Sequence, residues 1–243
     1  MGKVKHFYNT ADFSQKEIYS LVSLALALKQ GKIKGKLSGK TLAMLFFNPS
    51  LRTRVSFSVA MQKLGGLALD LPIKEGYTFE FQEGIVMDKG TIEHVKDAAS
   101  VLSRYCDAIT IRASDLITSA SESVKVVSWS ELKKDMVVNS FMDYATVPII
   151  NMESNVYHPC QGLGDAVTMV ERLSKEVGPP ERSDLQKRKY VLSWVPHPKA
   201  LPMATPNSQM LSACDLGMEV TIVHPPGWEL DNEILNVAAS RAK

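Results

Sequence analysis

Apolar residues recur along this chain at helical and then strand-like spacing, and the alternation predicts its elements. Ser14 and Glu17 form a capping box ahead of Ile18, Leu21, Val22, Leu24, Ala25 and Leu28, an amphipathic helix that Gly31 ends. A basic connector, residues 32–40, leads to the apolar run 42–47, which reads as a buried strand. Asn48-Pro49-Ser50 then has the composition of a turn, and Ser50 is a good N-cap. The next helix carries Val55, Val59, Gln62 and Gly66 at near-helical spacing and terminates at Gly65-Gly66. A second strand, 67–71, completes a βαβ unit and favours a parallel sheet.

Residues 72–90 break the pattern with Gly, Pro and aromatics and predict a long excursion, of the kind that is usually functional or disordered. The pattern resumes as a helix over 91–105, a strand over 107–112, a weakly patterned Ser-rich segment over 113–128, a helix over 131–144 and a strand over 147–152. Residues 153–157 read as a loop, and His158-Pro159 opens a helix that runs to about Leu173, proline being favoured in a first turn. Gly178-Pro179-Pro180 and the charged residues up to Lys189 form the best linker candidate. A further unit comes after it: strand 190–195, loop 196–206, helix 207–216, strand 219–224 and helix 230–242. No fixed-period repeat and no low-complexity tract interrupts this order.

At 243 residues and 45% apolar content the chain can bury a full core. The net charge of +2 is spread without a long basic run, which gives no electrostatic support to nucleic-acid or membrane binding. Cys106, Cys160 and Cys214 are odd in number, far apart and not at metal-ligand spacing, so they read as core thiols in a reducing compartment. No metal or cofactor site is expected. No apolar run reaches membrane-spanning length, and the first residues lack the apolar core of a signal peptide and the pattern of a myristoylation site. The cytoplasm is the default address.

The turn after residues 42–47 carries the candidate chemistry. A helix start leaves backbone N–H groups without partners and bears roughly half a positive charge, so it attracts an anion. Ser50, Arg52, Thr53 and Arg54 crowd this first turn. Arginine there opposes the helix macrodipole, and a bound phosphate would supply the reason; the alternative is arginines paired with acidic neighbours on a solvated face. Arg112 and the segment from Glu153 to Gln161, with His158, also come just after strands. In a parallel sheet the carboxyl ends of strands share one edge, where ligands bind. Taken singly, Arg112 also fits a surface ion pair, and His158 a capping histidine.

FFNPSLRTR at 46–54, IRAS at 111–114 and HPCQ at 158–161 together resemble the motifs of the carbamoyltransferase family. The runs EFQEGIVMDKGTIEH, INMES and WVPHPKALPMATPNS make the resemblance strongest to the branch acting on N-acylated ornithine, ahead of the ornithine and aspartate enzymes. The resemblance covers nearly the whole chain. It implies an α/β fold of two doubly wound parallel-sheet domains, a carbamoyl-phosphate-binding domain over 1–157 and the start of an acylornithine-binding domain over 158–243. It further implies that Ser50, Leu51, Arg52 and Thr53 hold phosphate and that Arg112 bridges phosphate and carbonyl oxygen. His158 and Gln161 of the His158-Pro159-Cys160-Gln161 run would complete the grip on the carbamoyl group, with Arg112, His158 and Thr53 catalytic and Arg54 bracing the loop. Glu153 corresponds to a position that contacts the acylornithine. His197 would face the same site, against the alternative of a loop histidine bonded to backbone. Tyr77 falls where the branch carries a tryptophan that reaches a neighbouring subunit, implying a homotrimer.

The chain departs from the pattern at two places. Ile92 stands where the acetyl branch carries a glutamate and the succinyl branch a proline; an aliphatic residue removes a repulsion of the succinyl carboxylate. With the Glu153-to-His158 spacing and LPMATPNS, this leans toward N-succinylornithine without excluding N-acetylornithine. Family members also continue past Lys243 with a His-Cys-Leu-Pro motif and an acceptor-binding lysine. The second domain is thus expected to be incomplete, and the chain alone to bind carbamoyl phosphate weakly and turn over poorly or not at all; the alternatives are an ornithine carbamoyltransferase or a non-catalytic phosphate-binding fragment.

Overall fold

The computed structural model describes residues 4–73, 78–87, 90–114, 128–174, 185–195 and 203–242. Tyr77, His197 and most of the 113–128 and linker segments lie outside the described residues. The chain divides into two compact units, Met1–Tyr8 with Gly35–Val156 and Asn9–Lys34 with Tyr157–Lys243. A single boundary after residue 157 was expected; the chain instead passes between units three times. Residues 9–34 fall with the second unit because the first helix, α1 (Gln15–Lys29), packs on a helix from beyond that boundary.

In the first unit, strands β1 (Thr41–Phe46), β2 (Leu67–Pro72), β5 (Ala108–Ala113) and β6 (Ile149–Ser154) form one parallel sheet in the order β2-β1-β5-β6. β1 reads as a continuous apolar run because both of its faces are covered. Ala43, Leu45 and Phe47 face one side with Ile109 and Ile111, against α3 (Val95–Tyr105) and α5 (Met136–Tyr144) through Val95, Ala98, Ala99, Val137 and Phe141. Leu42, Met44 and Phe46 face the other, against Phe57 and Met61 of α2 (Leu51–Lys63). This is the doubly wound arrangement. The face of α2 differs from expectation: Val55 and Val59 are exposed, and the helix docks through Phe57 and Met61.

Three boundaries also moved. Within the segment expected to be an excursion and a helix start, β3 (Phe79–Glu80) pairs in parallel with β4 (Glu93–His94), so α3 begins only after His94, whose ring accepts from the Lys96 N–H. The helix expected over 131–144 is two, α4 (Trp129–Leu132) and α5, because Asp135 takes a left-handed conformation, φ 42° and ψ 46°. Glu153, expected in a loop, belongs to β6.

In the second unit, α6 (Pro159–Leu173) crosses α7 (Ala204–Asp215), and the parallel pair β7 (Lys189–Ser193) and β8 (Glu219–Val223) is followed by α8 (Asn232–Arg241). α7 starts at Ala204 and not at 207 because Pro206, within its first turn, has no intrahelical donor to lose. The core is Val22 of α1, Ala166 and Val170 of α6, Leu185, and Ala213, Leu216 and Met218 around the end of α7. Gly162 lets α6 approach α7 closely: a Cβ there would sit 2.6 Å from Ser212 Oγ and 2.8 Å from Ser208 O. Asp215, fully buried, receives a 2.5 Å hydrogen bond from Arg241 Nε, which ties α8 to α7.

Removing one partner of such a buried pair strands a charge and costs about 3 kcal/mol or more. Arg241→Met is expected to destabilise the second unit by that amount, read from urea unfolding followed by the fluorescence of Trp194 and Trp228. A loss below about 1 kcal/mol, the range of a surface pair, would show that Asp215 does not depend on Arg241.

Candidate functional site

The strand order places a topological switch point between β1 and β5: the chain leaves β1 toward β2 on one side and reaches β5 on the other. At such a point the loops after neighbouring strands diverge and leave room for a ligand at their carboxyl ends. The turn Asn48-Pro49-Ser50 comes after β1 there, and Arg112 lies near the end of β5. Phe47 N–H donates to the Arg112 carbonyl at 2.9 Å, which fixes the two strand ends side by side.

Ser50 is the N-cap of α2 in extended conformation, but its hydroxyl makes no capping bond. The helix start therefore keeps first-turn N–H groups for an anion. Leu51 and Arg52 are exposed. Arg54 turns back onto the protein: its guanidinium lies 4.3 Å from the Phe46 ring centroid, and Nη1 donates to Asp70 Oδ2 at 2.6 Å. It braces the loop.

Arg112 reaches across. Its Nη1 lies 3.5 Å from Thr53 Oγ1, at the long limit of a hydrogen bond, and pairs with the Glu153 carboxylate. Its Nε is buried without a partner. A guanidinium with an orphaned donor beside a bare helix start is an incomplete anion cradle. The pairing with Glu153 arises from a β-bulge. Ile111 sits opposite Asn151, but Arg112 sits opposite Glu153, so Met152 is the extra residue in β6 and the bulge re-aims the side chains beyond it. Burial raises the Glu153 carboxyl above the usual carboxylate range, and the Arg112 charge opposes that rise.

Behind the strand end stands Asp135. Its buried carboxylate accepts from Ser154 Oγ at 2.5 Å, Asn155 N–H at 2.9 Å and Tyr8 hydroxyl at 2.7 Å. Asn151 Nδ2 extends the network to Ser154 Oγ at 3.1 Å and the Tyr8 carbonyl at 3.2 Å. Asn151, Ser154 and Asn155 fall in or beside the INMES run, but Asp135 and Tyr8 carry no sequence signal, a lone Asp after two lysines having no pattern. Ile92 is exposed at the start of the segment leading into β4, its N–H donating to Thr78 O at 3.0 Å.

The second unit holds the other motif. His158 is the N-cap of α6, with Pro159 buried in the first turn, and its backbone N–H donates to Ser208 Oγ of α7 at 2.7 Å. Ser208 thus fixes the entry to the helix. Gln161 Nε2 donates to Asp165 Oδ1 one turn on, at 2.8 Å, and Gln209 holds the other oxygen of Asp165 at 2.9 Å. Cys160 as a residue is half-buried, but its sulfur is packed closely enough that desolvation pushes the thiol up to about 12. Cys160 is no nucleophile near neutral pH. Among the described residues no group of three or more His, Cys, Asp or Glu is placed to hold a metal, and no helix is long and apolar enough to cross a membrane.

Residues 5–171 match the family model for the aspartate/ornithine carbamoyltransferase carbamoyl-P binding domain. The chain belongs to the aspartate/ornithine carbamoyltransferase family. An N-acetylornithine carbamoyltransferase from Xanthomonas axonopodis pv. citri (strain 306) is 41% identical over 238 residues, 97% of this chain and 64% of that protein. The chain thus spans just under two thirds of the length of this carbamoyltransferase. A crystal structure of acetylornithine transcarbamylase complexed with acetylcitrulline superposes with a TM-score of 0.87 at 41% identity, over 98% of this chain and 67% of that one. A variant of N-acetyl-L-ornithine transcarbamylase with a glutamate replaced by valine, complexed with carbamyl phosphate and N-succinyl-L-norvaline, has a TM-score of 0.86, with 41% identity over 98% of this chain and 67% of that one. The family's fold, a parallel sheet clad in helices on both faces, is the fold observed.

Thiol chemistry offers a check on the site's enclosure. At pH 8 a thiol pushed up to about 12 is ionised on the order of one part in ten thousand. Native Cys160 is expected to resist iodoacetamide for hours, and to label within minutes in urea, read by peptide mass spectrometry. Fast labelling of the native chain would show the sulfur is open to solvent.

Proposed function

We propose that this protein is a carbamoyltransferase that moves the carbamoyl group of carbamoyl phosphate to the δ-amine of an N-acylornithine, giving N-acylcitrulline and phosphate in arginine biosynthesis. The observation that carries the proposal is Arg112: a nearly enclosed guanidinium with an unused donor, at the switch point of a parallel sheet and within reach of Thr53 on a helix start. That arrangement suits a phosphate flanked by a carbonyl oxygen. The identity of the relatives supports the donor and the acceptor class.

In this reading the first-turn N–H groups of α2, with Ser50, Arg52 and Thr53, hold the phosphate, and Arg112 spans phosphate and carbonyl. As the neutral amine attacks, charge grows on the carbonyl oxygen and then on the departing phosphate. Donors from Thr53, Arg112 and His158 aimed at those oxygens each contribute on the order of 3 kcal/mol to lowering the barrier. Holding both substrates together supplies much of the rest. His158, Pro159, Cys160 and Gln161 are assigned to the carbamoyl group, and Glu153, Ile92, Tyr77 and His197 to the acceptor, on the resemblance alone. We assign the unit of residues 35–156 to carbamoyl phosphate and that of 157–243 to the acceptor, a cytoplasmic address and a homotrimer. Exposed Leu51, Val55 and Val59 on α2, with Leu67 and Leu69 on the edge strand β2, offer apolar surface for a second copy.

For the acyl group, identity supports acetyl, whereas Ile92 supports succinyl. We read Ile92 as the counterpart of the glutamate whose valine variant is complexed with N-succinyl-L-norvaline. A citrulline assay with ornithine, N-acetylornithine, N-succinylornithine and aspartate distinguishes them.

The anion site is tested by calorimetric titration with carbamoyl phosphate. Arg112→Met is expected to weaken binding at least tenfold, since charge-assisted hydrogen bonds contribute about 1.5–3 kcal/mol, with an unchanged circular dichroism spectrum. Undiminished affinity in this variant would remove Arg112 from the site and the proposal with it.

A further inference from the structure

We propose that Glu153 is an affinity-setting residue of the anion site, occupying Arg112 in the empty protein as an internal competitor that the incoming phosphate must displace. The inference rests on the reading of Arg112 as the anion's ligand. The bulge at Met152 sets the two side chains opposite each other, and they are only 15% and 13% exposed. Glu153 pairs with Nη1, the same nitrogen that lies nearest Thr53 and the start of α2, so an anion drawn to that nitrogen comes up against a carboxylate already in contact with it.

Glu153 has little freedom to withdraw by moving its backbone. The next two residues are clamped by Asp135, through Ser154 Oγ and the Asn155 N–H. A dianion arriving at the guanidinium therefore meets a carboxylate already in contact with it. Repulsion is relieved when the Glu153 side chain swings off Nη1 or takes up a proton, and either cost is subtracted from the anion's affinity. Burial raises the Glu153 carboxyl, which lowers the cost of the second route. Displacement leaves a carboxylate without its guanidinium beside the bound donor. That is an attractive place for the cationic amine of the acceptor, and a reason for an acid to stand where an anion binds.

The test uses sulfate, which stays dianionic at neutral pH, and carbamoyl phosphate, titrated calorimetrically into the wild-type chain and Glu153→Gln. Glutamine keeps the shape but removes the charge. The proposal expects Glu153→Gln to bind both anions about tenfold more tightly, while citrulline formation, where the wild type shows any, falls. Loss of a merely structural contact would not raise affinity. Glu153→Met provides the same charge removal should the glutamine variant fold poorly, as judged by circular dichroism. Wild-type binding with no gain in a folded Glu153 variant overturns the proposal alone. Absence of binding by wild type and variants overturns the anion-site reading and the proposal together.

Discussion

A cation that is nearly withdrawn from water at the end of a buried strand is the constraint around which the first unit is arranged. Desolvating a guanidinium costs several kcal/mol unless a counter-charge and hydrogen-bond acceptors replace the lost hydration. Glu153 supplies the counter-charge, but only because the β5–β6 register slips by one residue at Met152 and brings the two side chains level. Without the slip, the period of two would send Glu153 to the other face of the sheet. The buried Nε that finds no acceptor shows that the compensation is partial. A partly satisfied cation is a poor structural element and a good receptor, and this is the physical basis of the anion site proposed here.

The same economy explains Asp135. A left-handed backbone at a non-glycine residue and a buried carboxylate both cost stability, the former on the order of 1–3 kcal/mol. The return is geometric. Splitting what would be one helix into α4 and α5 turns the carboxylate onto Ser154, Asn155 and Tyr8, so the segment just after the bulge is fixed from behind. Burial raises the Asp135 carboxyl above its ordinary value, and the three hydrogen bonds and a fourth from Val156 pull it back. In the second unit Ser208 of α7 gives His158 a comparable support, accepting that residue's own backbone N–H by a single bond.

These devices mark where reading the chain stops. Periodicity and capping chemistry located the strands of the main sheet, the Ser14–Glu17 box and the His158-Pro159 opening, because each is a local rule satisfied by adjacent residues. A strand followed by Asn-Pro-Ser likewise announced the helix start at Leu51, with Ser50 as its N-cap. The failures were non-local. Nothing in INMES marks a bulge, so by pattern alone Glu153 reads as loop. The apolar spacing of Val55 and Val59 says that a helix has a greasy face, not which face the sheet takes; Phe57 and Met61 are larger and pack on it instead. The pattern of α1 could not reveal that it packs on α6, about 130 residues further on, because an amphipathic stripe carries no address.

The arginines of the first turn of α2 show how position divides like residues. Both oppose the macrodipole, yet Arg54 is discharged against Asp70 and laid over Phe46, whereas Arg52 is exposed and Arg112 arrives from another strand to stand near Thr53. Arg54 thus makes the turn rigid by consuming its own charge locally, and the field left over at the helix start comes from the backbone and Arg52. With Arg54 paired to Asp70, the positive charge left at this turn is that of the helix start and of exposed Arg52. The anion proposed for this turn would thus meet charge gathered at one helix start, in a chain whose overall charge is only +2.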